Sequence, residues 1–436
     1  MKYFASIFRN FILIALLLFV FSCGSDKNKS KDFSKTHIIP KTETFNATQK
    51  ENTTRVSASE VSKLEQYNSE TGTYIFSDDA DEIEDLEVGK VVLFETHSLR
   101  KITAVKKEAG KIIVESEYAR LTDYFSEASI SYSANVAWDK NGIAATKVSL
   151  GQPIAIMATP SLFMAQEVEN EASVSIEREI RGWKVGFELE PESGGKLNIT
   201  LSAEKEHVCS IKAEGFISSF TSTSTIEIGN GETQEFSYQN DGLEGEVELK
   251  FAAVGLGSDI AILEIPATLE RTILVQGIIP VTLRLKANLK IYPEVAAGTS
   301  SQASMKLTYN SNFGFSYGNG SMSTTGGVSN DTAEQTGDSN TATAGIAGMG
   351  VGVEFPRFEV GILGNTVVPY LLLNTHASSY LSTGLLDNRP CHTATLKYEA
   401  HAGVSMDFLG VMSVNNDYKI FEEQKRWTAE GSHCGD

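Results

Sequence analysis

The sequence predicts a mainly β protein, in which a small N-terminal β module precedes a large antiparallel β-sheet or sandwich body with long amphipathic strands. Between residues 273 and 291, every odd position is apolar or small, and from Pro280 onward most even positions are polar or charged. This period of two is typical of a strand with one buried face and one solvated face. Shorter alternating segments recur from about residue 133 onward, separated by clusters of Gly, Asn, Asp and Ser.

The composition favours an acidic globular protein. The chain has 436 residues, of which 37 are Lys or Arg and 56 are Asp or Glu, so its formal net charge is −19. Hydrophobic residues make up 41% of the chain, which is enough to build a core. Nucleic acid is not an expected partner, because phosphate binding depends on clustered Lys and Arg.

The first 22 residues predict an export signal. Lys2 and Arg9 precede an apolar run, FILIALLLFVFS, which is too short to span a bilayer comfortably. The end of this run and the cysteine after it, Val20-Phe21-Ser22-Cys23, resemble the lipobox of bacterial lipoproteins, with a bulkier residue than usual at Phe21. The resemblance implies that Cys23 becomes the acylated first residue of the mature protein. It also implies a place in the bacterial cell envelope, with the outer membrane favoured and the protein facing the periplasm or the exterior. The alternative is an ordinary signal peptide with an incidental cysteine.

Residues 23–70 are predicted to form a flexible tether. Up to about residue 58 the segment is dominated by Lys, Asn, Ser and Thr, and apolar residues are sparse. Such a composition buries too little surface to offset the entropy lost on ordering.

Residues 71–132 are predicted to form the small β module. Alternation around Val91 and Leu99 indicates strands, Gly110 fits a hairpin turn, and residues 121–125 fit one helical turn. The pattern resembles a small β module that occurs in many exported bacterial proteins and carries no known activity. The resemblance rests on Leu86, Gly89, Val91, Leu99, Arg100, Lys101, Ile102, Val105, Val114, Ala119, Leu121 and Phe125.

Residues 133–436 are predicted to form the large antiparallel domain. The ribbon over residues 273–291 is longer than an ordinary strand, so it either bends or divides into two strands between Gly277 and Pro280. Residues 318–348 are rich in Gly, Ser and Thr, which predicts a mobile loop.

The apolar face of the ribbon permits two interpretations. A second sheet packed against it would give a dry sandwich core. Incomplete cover would leave an apolar groove for a lipid or another amphiphile. The residues that would line such a groove are Ile279, Val281, Leu283, Leu285 and Leu289.

The cysteines predict one disulfide. Cys391 and Cys434 bracket a C-terminal unit and would pair in an oxidising compartment, which leaves Cys209 as a buried thiol. His392 and His433 stand beside these two cysteines, so zinc is the alternative. Neighbouring strand residues point to opposite faces, however, so we expect no metal site and no cofactor.

The sequence identifies no catalytic residues. Gly314, Ser316 and Gly318 match the G-x-S-x-G pattern of hydrolases, but that chemistry needs a strand, a sharp elbow and a helix. Alternation of Phe313, Phe315 and Tyr317 runs straight through the motif, which predicts that Ser316 is an ordinary strand residue.

We therefore expect a non-catalytic, lipid-anchored envelope protein with a binding or structural role. Its expected partners are a membrane, reached through the N-terminal lipid, and a protein, glycan or lipid ligand. Two alternatives stay open. One is an amphiphile-binding protein that uses a groove beneath the ribbon. The other is a surface polysaccharide hydrolase that uses two of the many carboxylates.

Overall fold

The strands that the structure describes are gathered into three sheets, as seen in a computed structural model. The structure describes residues 37–68, 71–138, 147–150, 165–166, 173–180, 182–205, 209–254, 263–294, 300–336, 340–342, 347–363, 366–383, 390–404 and 416–428. Within this part of the chain the fold is mainly β, as the alternating pattern predicts. The described residues belong to one compact unit.

The smallest sheet has six strands in the order β2-β5-β6-β7-β4-β3. These strands are β2 (Thr53–Val56), β3 (Leu64–Asn68), β4 (Thr73–Ser77), β5 (Val91–Phe94), β6 (Ser98–Glu108) and β7 (Lys111–Tyr118). Three helical turns accompany them: α1 (Ala58–Val61), α2 (Asp81–Glu84) and α3 (Leu121–Tyr124). The predicted hairpin at Gly110 and the predicted helical turn near Leu121 are confirmed.

The largest sheet has eleven strands. Its main path is β1-β8-β15-β16-β14-β13-β12-β11, and β19, β20 and β21 extend it from β16. These strands are β1 (Thr42–Gln49), β8 (Phe125–Val136), β11 (Val174–Ile180), β12 (Trp183–Pro191), β13 (Leu197–Lys205), β14 (Cys209–Ile217), β15 (Phe220–Gly229), β16 (Glu232–Val254), β19 (Ser300–Gly318), β20 (Ser321–Gln335) and β21 (Asn340–Ala342).

The third sheet has eight strands in the order β10-β9-β17-β18-β22-β23-β24-β25. They are β9 (Lys147–Leu150), β10 (Ala165–Gln166), β17 (Leu263–Val275), β18 (Ile279–Glu294), β22 (Ala347–Ile362), β23 (Thr366–Thr383), β24 (Pro390–Val404) and β25 (Asn416–Thr428). All neighbouring strands within the two larger sheets are antiparallel. The described residues thus fit a sandwich-like body.

One hydrophobic core joins the sheets. Ile130 and Ile226 of the largest sheet pack with Val275 and Val281 of the eight-stranded sheet. Because alternate residues of β5 point to opposite faces, Val91 and Leu93 join this core. Their neighbours Val92 and Phe94 pack instead into a second core with α1 and α2.

The ribbon over residues 273–291 consists of parts of two strands. β17 ends at Val275 and β18 begins at Ile279, and the two strands form a hairpin. Gln276 and Gly277 have φ angles of 50° and 66°. This left-handed conformation favours glycine and makes the tight turn possible. The alternative of two strands divided at Gly277–Pro280 is therefore the observed one.

Two predicted unstructured segments contain strands. The predicted tether, 23–70, includes β1, β2, α1 and β3, and Ile38 already forms a parallel bridge with Ile273. The predicted mobile loop, 318–348, includes β20, which pairs with β19. Polar sequences form strands here because neighbouring strands satisfy their backbone groups and one face stays in water.

The boundaries of the small module also differ from the predicted 71–132. Its sheet begins at Thr53 and ends at Tyr118. β8, at Phe125–Val136, pairs with β1 and β15 in the largest sheet. Sequence alternation identified the strands, but it does not reveal which neighbours each strand pairs with.

Candidate functional site

The predicted groove residues lie in a filled core. Ile279, Val281, Leu283 and Leu285 are each no more than 5% exposed. The cavity that remains beside Ile279 and Val281 has a volume of about 10 Å³. Such a volume is about that of one water probe and far too small for a lipid chain. The packing therefore favours the dry-core interpretation at these four residues. The side chain of Leu289 lies outside the described residues.

A different surface of the sandwich carries a shallow depression lined by polar residues. It lies on the outward face of the largest sheet, where β1, β8, β15, β16, β19 and β20 are neighbours. We call it the hydroxyl face, and it is defined by Thr42, Thr44, Ser131, Ser133, Thr223, Thr225, Ser237, Gln239, Ser316 and Ser323. Most of these residues line a shallow depression of about 330 Å³.

Strand register aligns these side chains in rows. In the first row each residue stands opposite the next on the neighbouring strand, in the order Thr44, Ser131, Thr225, Ser237, Ser316 and Ser323. A second row runs through Thr42, Ser133, Thr223 and Gln239. Adjacent strands are about 4.8 Å apart. The first row therefore extends about 24 Å across six strands.

The rows exist because each strand alternates small polar residues with buried ones. On β8, Ser131 and Ser133 point outward while Ile130 and Tyr132 are buried. On β15, Thr223 and Thr225 point outward in the same way. The S-x-S and T-x-T spacings were visible in the sequence. Their alignment was not, because the strands that carry them are about 90 residues apart.

Most hydroxyls of this surface are unpaired within the part of the chain that the structure describes. No hydrogen bond to another described residue involves the side chains of Thr42, Thr44, Ser131, Ser133, Thr225 and Ser237. Ser316 Oγ and Ser323 Oγ are 2.8 Å apart and share a hydrogen bond. Thr223 Oγ1 donates to the carbonyl oxygen of Gln239 over 3.4 Å. The free hydroxyls can both donate and accept hydrogen bonds to a ligand.

The depression is free of charge. None of the residues that line it is Asp, Glu, Lys, Arg or His. Acidic residues lie just outside it: Ser129 Oγ donates to Glu227 Oε1 over 2.7 Å, and Gln239 Nε2 donates to Asp241 Oδ1 over 2.6 Å. The surface is therefore polar and neutral, with an acidic margin.

The sheet is stiffened beneath the depression by a buried chain of hydrogen bonds. Tyr132 Oη and Ser222 Oγ are 3.3 Å apart, Ser222 donates to Tyr238 Oη over 3.3 Å, and Tyr238 donates to Asn240 Oδ1 over 2.7 Å. Burial raises the pKa of both phenols, so they stay protonated. This network holds β8, β15 and β16 in register from below.

Elsewhere on the same outward face, some charged residues form ion pairs. Lys250 Nζ lies 2.8 Å from Glu214 Oε2 and 2.9 Å from Glu248 Oε2. Partial burial alone would raise the pKa of Glu248, but hydrogen bonds from Thr336 and Lys250 outweigh it and hold the pKa below its usual value. The neutral depression is thus a local departure from the ordinary surface of this sheet.

The small sheet holds a second polar cluster, around Arg100. Its side chain is 1% exposed, and Nε donates to Tyr74 Oη over 3.0 Å. Its guanidinium carbon lies 4.0 Å from the centre of the Tyr118 ring, and Nη2 donates to Tyr67 Oη. Burial alone would lower the pKa of Arg100, but Tyr74 and Tyr67 hold it above its usual value. These contacts stabilise a buried cation, and they explain the cluster as part of the module's core.

The remaining predicted site residues are placed as follows. Cys209 is a buried free thiol, as predicted, and burial raises its pKa to about 12. Cys391 is engaged in a disulfide. Cys23 and Cys434 lie outside the described residues, so the acylation of Cys23 and the pairing of Cys391 with Cys434 stay predictions. Ser316 lies within β19, which confirms that it is a strand residue.

The described residues contain no group of three or more His, Cys, Asp or Glu side chains that could hold a metal ion. In the same part of the chain, no helix combines the length and the hydropathy needed to cross a bilayer. No known protein family, curated protein or solved structure matches this chain.

Proposed function

We propose that this protein is a non-catalytic binding protein of the bacterial cell envelope. It is anchored by acylation of Cys23 and binds a polar, uncharged ligand on the hydroxyl face. The single observation that carries the binding proposal is the neutral depression, in which rows of unpaired hydroxyls replace the ion pairs found elsewhere on the sheet. The anchoring proposal rests on the lipobox resemblance at Val20–Cys23.

A surface of this kind favours recognition over chemistry. The free hydroxyls of Ser131, Ser133, Thr225 and Ser237 belong to β-strands held in register by the buried hydrogen bonds below them. Hydroxyls on a rigid sheet lose little entropy when they bind a ligand, which supports affinity without a large conformational change. None of the described residues that line the depression is a base that could activate one of these four hydroxyls.

The anchoring proposal is tested by replacing Cys23, the residue that would carry the acyl chains. In the source bacterium, Cys23→Ser should move the protein from membrane fractions to soluble fractions, because acyl chains supply the membrane affinity. The same variant should fail to incorporate radiolabelled palmitate. Membrane partition that is unchanged by Cys23→Ser would refute the anchoring proposal.

Binding is tested with isolated envelope material of the source bacterium. We expect the purified protein to sediment with this material. Ser131→Arg together with Ser237→Arg should reduce binding at least tenfold, because two long charged side chains then fill the neutral depression.

Asn198→Arg together with Thr200→Arg is the matched control. Both residues are partly exposed on β13 of the same sheet, and the double variant adds the same charge. It should bind like the unmodified protein. Equal binding by the Ser131/Ser237 variant and the control would refute the role of the hydroxyl face.

A further inference from the structure

The hydroxyl face has the chemistry of a sugar-binding surface. The outward side chains that line it are hydroxyls and one amide, and it carries no charge. A hydroxyl donates one hydrogen bond and accepts two, and an amide both donates and accepts. Sugar hydroxyls have the same mixed capacity, so each unpaired Ser or Thr can exchange a water contact for a contact with a sugar.

The charge around the depression favours neutral sugars over anionic ones. The chain carries a formal net charge of −19, and Glu227 and Asp241 stand at the margin of the depression. An anionic polysaccharide or a phosphate-bearing ligand would be repelled, and no Lys or Arg lines the depression to compensate. A neutral polysaccharide would not be repelled in this way.

The shape of the surface favours a chain of sugars over a single sugar as the ligand. The row Thr44, Ser131, Thr225, Ser237, Ser316 and Ser323 runs across six strands, and neighbouring strands are about 4.8 Å apart. The second row runs parallel to it. Two parallel rows of donors and acceptors match an extended polymer that lies across the strands.

We infer that the ligand of the hydroxyl face is a neutral glycan chain, which lies across the strands along the row from Thr44 to Ser323. This inference rests on the proposed function and specifies the ligand class of the same site. It concerns the polysaccharide component of the envelope, as opposed to its proteins or lipids.

The test divides the envelope material by chemistry. Samples are treated with periodate, which cleaves vicinal diols of sugars, with protease, or with organic solvent that extracts lipid. The solubilised polysaccharide is then separated on an anion exchanger into a neutral fraction and a retained anionic fraction. Binding of the purified full-length protein to each sample is measured by sedimentation or by calorimetry.

Binding should survive protease and solvent extraction, fall at least tenfold after periodate, and reside in the neutral fraction. Ser131→Arg with Ser237→Arg should again reduce it at least tenfold, and Asn198→Arg with Thr200→Arg should leave it unchanged. Binding that is sensitive to protease or solvent but not to periodate would overturn the glycan inference and leave the proposed binding function standing. Binding that resides in the anionic fraction would overturn the glycan inference together with the proposal of an uncharged ligand.

Two further outcomes concern the surface itself. If the Ser131/Ser237 variant binds every sample as the unmodified protein does, the proposed function fails together with the inference. If light scattering shows a dimer that the same variant dissociates, the face is an interface between copies of this chain, and the glycan inference is overturned.

Discussion

Truncation of Leu285 should measure whether the ribbon packs into a sandwich core or lines an open groove. Leu285 is 2% exposed and stands opposite Leu269, which is 1% exposed, on β17. Leu285→Ala removes three buried carbon atoms at about 0.8 kcal/mol each, or about 2.4 kcal/mol. The cavity left in a packed interior raises the expected loss in the free energy of unfolding to about 3 kcal/mol.

The matched control is the neighbouring outward residue. Arg284 Nε lies 3.0 Å from Glu270 Oε2, and both side chains are partly exposed. Arg284→Ala should lower the free energy of unfolding by less than about 1 kcal/mol, as is usual for surface ion pairs.

Urea unfolding of the two variants, followed by tryptophan fluorescence and circular dichroism, compares them directly. A dry core predicts a much lower midpoint for Leu285→Ala than for Arg284→Ala, with similar slopes. In an unfilled groove, Leu285 would be in contact with water and its truncation would cost little. Two equal losses below about 1 kcal/mol would therefore contradict the packed sandwich.

Three further predictions concern single side chains. Cys209 should react with a thiol reagent at pH 8 only after unfolding, since its buried thiol has a pKa of about 12; fast reaction of the native protein would contradict this placement. The pKa of Glu248 is held below its ordinary value of 4.5, so its pairing with Lys250 stabilises the fold above that pH and is lost as the pH falls through the lowered pKa. Glu248→Gln should therefore cost about 1 kcal/mol at pH 7 and have less effect near pH 3, and a pH-independent cost in urea unfolding would argue against the pairing. Gly215→Ala should destabilise the fold by more than about 2 kcal/mol in the same assay, because its new Cβ would lie 1.9 Å from the carbonyl oxygen of Glu246; a neutral effect would disprove this close approach.

Local alternation predicted the strands well where one face is apolar. The hairpin of β17 and β18 is an example, because Gly277 and Pro280 mark its turn and the odd positions around them are apolar. Alternation failed for β1 and β20. These strands lack strong apolar faces, and the pairing that stabilises them comes from β8 and β19.

The dry core could be stated from the sequence only as one of two alternatives. The pattern shows that Val281 and Leu285 share a face, but it does not show what covers that face. The structure shows what packs on that face, since Ile130 and Ile226 of the largest sheet contact the ribbon. Contacts between residues more than 50 positions apart are not encoded in any local period.

The sequence by itself determined which side chains face inward on each strong strand, because the side-chain direction of a strand alternates with a fixed period of two. It also determined the polar, uncharged character of the S-x-S and T-x-T segments. Only the tertiary structure decided that Ser131, Thr225, Ser237 and Ser316 form one row. The physical reason is that strand order and register depend on backbone hydrogen bonds between distant segments, and a slip of one residue would turn every one of these hydroxyls to the opposite face.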